Sequence, residues 1–263
     1  MTVEKYDTIG KTYTATRQAD LRIIDRIIDL LHLPLGANVV DVGAGTGNYT
    51  LELVKYGYQV TAVEPSFIMR QQGKTHPRLN WMDGTAEDLP FHDNAVDGVV
   101  CTLAVHHFTH VEQSFKEMIR IVRTGNPIVL FVSDPRQSAK DNWLTDYFVP
   151  IFNQSFQVYP ILEELVAALE RTSGHQVMVE TFRLPPDLTD RFFMSGWRHP
   201  EWYLDPVFRQ GVSPLANAST EVVDRCVKRL EEDLKSGAWH EKYGDILSQT
   251  EFDGGYRFLV ARS

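Results

Sequence analysis

Apolar and polar positions change rhythm along this chain, and the changes mark out elements. Over Asp20–Leu33, Leu21, Ile24, Ile27, Ile28 and Leu31 recur at helical spacing with charges between them, predicting an amphipathic helix that "PLG" at 34–36 ends. "NVVDVG" is short, β-branched and continuously apolar, as buried parallel strands are. A helix over Thr46–Tyr56, a strand in "YQVTAVEP" and a helix to about Gln72 capped by Ser66 follow. "LNWMD", "VDGVVCTLA" and "PIVLFVSD" predict further strands, with the helix "VEQSFKEMIRIV" before the last of them. Asn142–Arg171 has mainly helical character with breaks at Pro150 and Pro160; "HQVMVETFRL" and the terminal "GGYRFLVAR" predict a sixth and a seventh strand. Regular alternation of strand and helix implies βαβ units in a doubly wound, mostly parallel seven-stranded α/β sheet. The aromatic and proline-rich stretch between the last two strands, including "RFFMSGWRHPEWYLDP", predicts a helical cap inserted before the last strand. The expected organisation is an N-terminal helical lid over 1–34, a ligand-binding core over 35–135, helices and the sixth strand over 136–183, the cap over 184–253 and the last strand over 254–263.

Composition narrows the function. With 263 residues, 43% hydrophobic and 23% charged, the chain is long enough to bury a sizeable core. A formal net charge of -9 disfavours nucleic acid as a substrate. The two cysteines, Cys101 and Cys226, lie too far apart in sequence to frame a disulfide scaffold or a Cys-rich metal site, and no metal is expected. No apolar run has the length of a signal peptide core or a membrane span, so a cytoplasmic, reducing setting without membrane contact is expected.

The chemistry begins at "DVGAGTGNYT". Ligands of open α/β sheets bind at the carboxyl ends of strands, where this loop falls. A dinucleotide fingerprint, G-x-G-x-x-G, requires a third glycine at residue 48, which is Asn48; the pattern is instead Gly43, Gly45, Gly47. A P-loop's Lys-Ser/Thr ending is also missing. Glu64, at the tip of the second strand and about twenty residues on, is placed to accept from both hydroxyls of a ribose, a device that nicotinamide enzymes share.

The ordered set of G-x-G-x-G, terminal Glu64, "DGTAEDLPF" and "VDGVVCTLAVHHF" resembles class I S-adenosylmethionine-dependent methyltransferases, closest to the small-molecule group of ubiquinone/menaquinone-biosynthesis methyltransferases. The resemblance covers about residues 35 to 133 and implies a Rossmann-like fold with S-adenosyl-L-methionine as cofactor. It implies that the backbone of Gly43, Ala44, Gly45 and Gly47 faces the cofactor's amino-acid portion, that Asp41 reaches its amino group directly or through water, and that Glu64 takes the ribose. Thr85, Ala86 and Glu87 would edge the adenine, and Leu103 would flank the cofactor's other side. Thr85 stands where the family usually has an Asp that accepts from the adenine amino group, which leaves Glu87 or Asp88 to take that role. "TGNP" replaces the usual Pro-Gly-Gly turn before the fifth strand.

Methyl transfer from a sulfonium is an in-line displacement, so alignment and exclusion of water dominate. His106 and His107 are the candidates for a general base; the competing reading is that the pair fixes a loop. Tyr13 and Arg17, four apart, would share a helix face, with Arg17 pairing either with the cofactor carboxylate or with solvent. In the cap, Phe192, Phe193, Trp197, Trp202 and Tyr203 either line an apolar acceptor pocket or hold the cap to the sheet. Arg191, Arg198 and His199 hint at an anionic acceptor. The function expected is methyl transfer to a small-molecule acceptor. The rivals are a non-catalytic cofactor-binding or regulatory module on the same fold and, opposed by Asn48, a NAD-dependent oxidoreductase.

Overall fold

The computed structural model describes residues 17–138 and 142–263. In chain order it holds α1 (Leu21–Leu31), β1 (Asn38–Val42), α2 (Asn48–Tyr56), β2 (Gln59–Val63), α3 (Phe67–Gln72), β3 (Leu79–Met82), β4 (Gly98–Thr102), α4 (Val111–Ile121) and β5 (Pro127–Ser138). Three helices follow: α5 (Trp143–Tyr147), α6 (Val149–Val158) and α7 (Leu162–Ser173). Then come β6 (Met178–Leu184), α8 (Pro206–Gly211), α9 (Ser213–Ala216), α10 (Thr220–Ser236), α11 (Ala238–Tyr243) and β7 (Phe252–Arg262). The seven strands form one sheet in the order β3-β2-β1-β4-β5-β7-β6. β1 to β5 pair in parallel, and β7 runs antiparallel to both neighbours. This is the mostly parallel, doubly wound sheet that the alternation of elements predicts, and strand order reverses between β1 and β4.

Period-two alternation splits the core between the faces of the sheet. Val39, Val100, Val129 and Phe131 point to one side, where they meet Ile24 and Ile27 of α1, Leu53 of α2 and the aromatic insert. Val40, Val99, Cys101 and Leu130 point to the other, against Phe115 and Met118 of α4 and Leu165 and Leu169 of α7. The buried stripe of α1 is Ile23, Ile24, Ile27, Leu30 and Leu31, whereas Leu21 is exposed. Asp20, the N-cap, turns the first residue outward, so the apolar face is rotated from the expected one. Pro150 does not break a helix. It sits in the first turn of α6, where its missing N–H is harmless, and the break falls at Phe148. β5 outlasts its predicted end at Asp134 because β7 pairs with it to Ser138 across an irregularity. Among the described residues, no helix is long and apolar enough to cross a membrane and no metal-binding cluster occurs.

Candidate active site

At the carboxyl end of β1 the chain turns through the glycine loop. Gly43 and Ala44 donate their N–H groups to the Val63 carbonyl at 2.9 and 3.2 Å, stitching the loop to β2. Gly43 has φ +73°, and a Cβ there would lie 2.5 Å from the Cβ of Ala104, so the β4 loop leaves no room for a side chain. Gly45 has φ +58° but nothing within 4 Å of where its Cβ would be. The space over Gly45 is open to a cavity of about 750 Å³, within the range of small-molecule sites.

Two buried carboxylates stand at this loop. Glu64 accepts from the Gly45 N–H at 2.9 Å and from the Ser66 N–H at 2.8 Å, one bond to each oxygen. It lines the cavity, and burial raises its pKa against the lowering effect of those two bonds. Asp41 lies beneath the loop on β1 and accepts from the Thr50 hydroxyl at 2.5 Å. Burial pushes its carboxyl up to about 6; Thr50 opposes the shift and the nearby Glu64 charge adds to it. Its Oδ1 is buried without a hydrogen-bond partner among the described residues, as are the hydroxyls of Thr46 and Thr102, two residues that line the cavity. Buried oxygens without partners are costly, and a ligand bearing an ammonium group and further donors answers that need.

Of the residues expected at the cofactor, Arg17, Gly43, Ala44, Gly45, Glu64, Thr85, Ala86, Glu87 and Leu103 line the cavity. Asp41 and Gly47 lie just outside its wall, and Tyr13 falls outside the described residues. Glu87 is also a fastener: its Oε1 accepts from the N–H groups of Thr109 and His110 at 2.7 and 3.1 Å, ahead of α4. Leu103 holds φ 52°, unusual without glycine, and its N–H donates to the Phe131 carbonyl at 2.7 Å. The histidine pair divides. His107 lines the cavity, and burial lowers its pKa to about 4, keeping the ring neutral at ordinary pH. His106 is not in the wall; it stacks on Tyr159 with ring centroids 4.4 Å apart.

Sequence reasoning missed part of the wall: Gln18, Asn48, Tyr49, Phe108 and Asp190. Asn48 and Tyr49 directly follow the glycine motif and were within its reach as a signal. Asn48, at the position where a dinucleotide fold needs glycine, donates its side-chain N–H to the Arg17 carbonyl at 2.6 Å. Asp190 carried no local signal. It sits in the insert and accepts from Nε and Nη2 of Arg17 at 2.5 and 3.1 Å and from the Tyr49 hydroxyl at 2.9 Å.

Of the two readings of the insert's aromatics, packing against the sheet is the one the described residues show. None of Phe192, Phe193, Trp197, Trp202 and Tyr203 lines the cavity. They join the core instead, Trp197 and Tyr203 fully buried and Trp202 packed at its edge. Trp143 of α5 donates its indole N–H to the Trp197 carbonyl at 2.7 Å, which ties the insert to the helices before β6. The basic residues nearby are engaged with the insert itself: Arg191 lies 4.6 Å over Trp202, His199 stacks on the same ring at 4.3 Å, and Arg198 reaches the Gln249 carbonyl at 3.4 Å.

A family model described as a methyltransferase domain matches residues 40–130. The ubiquinone/menaquinone biosynthesis C-methyltransferase of Cereibacter sphaeroides is 26% identical over 172 residues, 62% of this chain and 66% of that protein. The chain thus spans just under two thirds of that relative's length. The demethylmenaquinone methyltransferase of Paenarthrobacter aurescens is 26% identical over 198 residues, 73% and 74% of the two chains. Among solved structures, a candidate methyltransferase from an antibiotic biosynthesis pathway of Anabaena variabilis superimposes with a TM-score of 0.90 at 42% identity, covering 94% of this chain and 99% of that one. The phosphoethanolamine N-methyltransferase 2 of Haemonchus contortus, solved in complex with S-adenosyl-L-methionine, has a TM-score of 0.64 at 15% identity over 100% and 60% of the chains, a likeness of fold. The two buried carboxylates, the open space over Gly45 and the unpartnered oxygens beneath it suit an amino acid joined to a nucleoside. Sheet order, motif order and a full-length neighbour agree: this chain belongs to the class I methyltransferases, enzymes whose cofactor is S-adenosyl-L-methionine.

Proposed function

We propose that the protein methylates a small-molecule acceptor by in-line displacement inside the cavity that joins the glycine loop to His107. The observation that carries this reading is the continuity of that cavity: one space runs from Gly45 and Glu64 past Leu103 to His107 and Asp190. When bound, the cofactor supplies a methyl group already activated on a cationic sulfur. In this reading Asp41 receives the cofactor's amino group, the backbone of Gly43, Ala44 and Gly45 cradles its amino-acid portion while Gly47 shapes the loop, and Glu64 accepts from the ribose hydroxyls. Thr85, Ala86 and Glu87 edge the adenine, Leu103 presses on the cofactor's other side, and Arg17 takes the carboxylate, with Tyr13 on the adjoining segment. The enclosing walls exclude water and hold the acceptor in line.

His107 is the group we assign to accept a proton from an acceptor that must lose one, a contribution of about 10²–10⁴-fold. Its neutral ring supports that role. His106 supports it from behind, through the ring contact of 3.9 Å between the two. The net charge of -9 supports a small molecule over nucleic acid. The quinone-pathway methyltransferases among the relatives make a demethylated quinol the first acceptor to try.

The test is calorimetric titration with S-adenosylhomocysteine and, separately, with NAD⁺, followed by incubation with S-adenosylmethionine and candidate acceptors, reading mass gain of a methyl group. Micromolar binding of S-adenosylhomocysteine and a methylated small molecule are expected. Binding without turnover on any small molecule, but with turnover on RNA or protein, would overturn the acceptor class.

A further inference from the structure

Asp190 is 1% exposed and grips Arg17, itself 11% exposed, through two hydrogen bonds on one edge of the guanidinium. A side-on, two-point pairing of this kind fixes both the position and the plane of an arginine, which a single contact does not. The third bond to Asp190, from the Tyr49 hydroxyl, comes from the first turn of the helix that follows the glycine loop. Asn48, one residue earlier, holds the Arg17 backbone carbonyl. Arg17 is therefore fixed at its backbone by the glycine-loop helix and at its head by the insert. All four residues, Arg17, Asn48, Tyr49 and Asp190, line the cavity.

We infer that Asp190 is a positioning residue for the cofactor: it acts through Arg17, aiming the guanidinium at the cofactor's carboxylate and linking the insert to the cofactor end of the site. The inference rests on the proposed role of Arg17 as carboxylate partner. A lone buried carboxylate beside a cavity meant for a carboxylate-bearing ligand would repel it; the Arg17 charge balances that of Asp190, and the Tyr49 hydroxyl satisfies a further lone pair, which turns Asp190 into a support. Neighbouring ties hold the same segments without touching the cavity. Asp187 pairs with Arg22 at 2.6 Å, and Thr189 donates its N–H to Asp20 at 2.9 Å. Those ties dock the insert on α1, and the Arg17 contact is the one among them that reaches the ligand's space.

Calorimetry with S-adenosylhomocysteine on the full chain separates the possibilities. Arg17→Gln is expected to weaken binding about tenfold or more, and Asp190→Asn by a comparable factor. The Arg17→Gln/Asp190→Asn double variant should bind no more weakly than the worse single variant, because both changes remove one arrangement. Asp187→Asn, which breaks an exposed tie of the same insert, should bind as the unmodified protein does. If Asp190→Asn does not fold, Asp190→Glu keeps the charge, displaces it by one methylene and should show a smaller loss. Wild-type affinity in Asp190→Asn beside weak binding in Arg17→Gln would overturn the positioning role and leave the proposed function standing. Losses that multiply in the double variant, or an equal loss in Asp187→Asn, would overturn it as well. Wild-type affinity in Arg17→Gln would remove the carboxylate role of Arg17 and this inference with it.

Discussion

Lowering the pH from 7 to 5 should weaken binding of S-adenosylhomocysteine about tenfold, through Asp41. Buried under the glycine loop, its carboxyl titrates at about 6, so it is about nine-tenths ionised at pH 7 and about one-tenth ionised at pH 5. In the proposed placement the ligand's amino group, a cation throughout that range, pairs with the ionised form. Affinity therefore follows the ionised fraction and falls as the pH is lowered. Stability of the empty protein has the opposite sign. A carboxyl raised from its ordinary 3.8 to about 6 favours the folded state below the lower value, and that contribution is lost as pH rises through the upper one. Burial also raises the Glu64 carboxyl, against the lowering effect of its bonds from Ser66 and Gly45. The assay is calorimetry between pH 5 and pH 8 in buffers of different ionisation enthalpy, which reports proton release on binding directly. Asp41→Asn should bind weakly and lose most of the pH dependence. Flat affinity in the unmodified protein, or the full tenfold slope surviving in Asp41→Asn, would refute the reasoning.

The glycine loop offers a paired test. A Cβ at Gly45 would meet nothing within 4 Å, so in Gly45→Val the left-handed backbone is the main cost, roughly 1–2 kcal/mol of stability, while S-adenosylhomocysteine binding is lost. Gly43→Ala places a Cβ 2.5 Å from that of Ala104 and should lower the melting temperature more than Gly45→Val does; the reverse order would contradict the loop geometry. Because burial holds His107 neutral to about pH 4, an acid limb of kcat/KM near pH 6.5 that disappears in His107→Gln would contradict its environment. Trp197→Ala should cost about 3–5 kcal/mol in denaturant unfolding yet leave S-adenosylhomocysteine affinity within about twofold, since Trp197 packs in the core and not in the cavity wall. An unchanged unfolding midpoint with lost binding would return the insert's aromatics to the site.

The sheet was legible in the sequence because parallel central strands must bury both faces, and "NVVDV" or "GVVCT" can do little else. The glycine-loop end of the cavity was legible for a local reason too: Gly43, Gly45 and Glu64 are tied to short-range geometry, a turn, a close approach and a strand tip. Asp190 was not. Its partner Arg17 lies 173 residues away, and an isolated aspartate in an aromatic insert has no spacing to betray it. The insert's aromatics show a different limit. Composition records that Trp197 and Tyr203 are large and apolar but not which neighbours cover them, so a pocket lining and a packed core read alike until the helices α5 and α6 are set against them. Helix α1 was read a little too long and with the wrong rotation: it ends at Leu31 with His32 in the left-handed conformation, and Ile23 and Leu30, not Leu21, lie on its buried face.

The antiparallel strand β7 carries a consequence for how such a protein can change over time. β6 and β7 are paired neighbours, with Leu184 opposite Phe252 at the point where the insert begins and ends. The whole insert is, in topological terms, the loop of a β-hairpin. Its two ends are held together by the sheet whatever lies between them, and doubling such a loop adds only about 0.6 kcal/mol of closure entropy. The stretch beyond Asp190 can therefore be lengthened, shortened or exchanged without altering the register of β1 to β5, where the glycine loop and Glu64 sit. Selection can rework most of the insert while the strands that carry the glycine loop and Glu64 stand still.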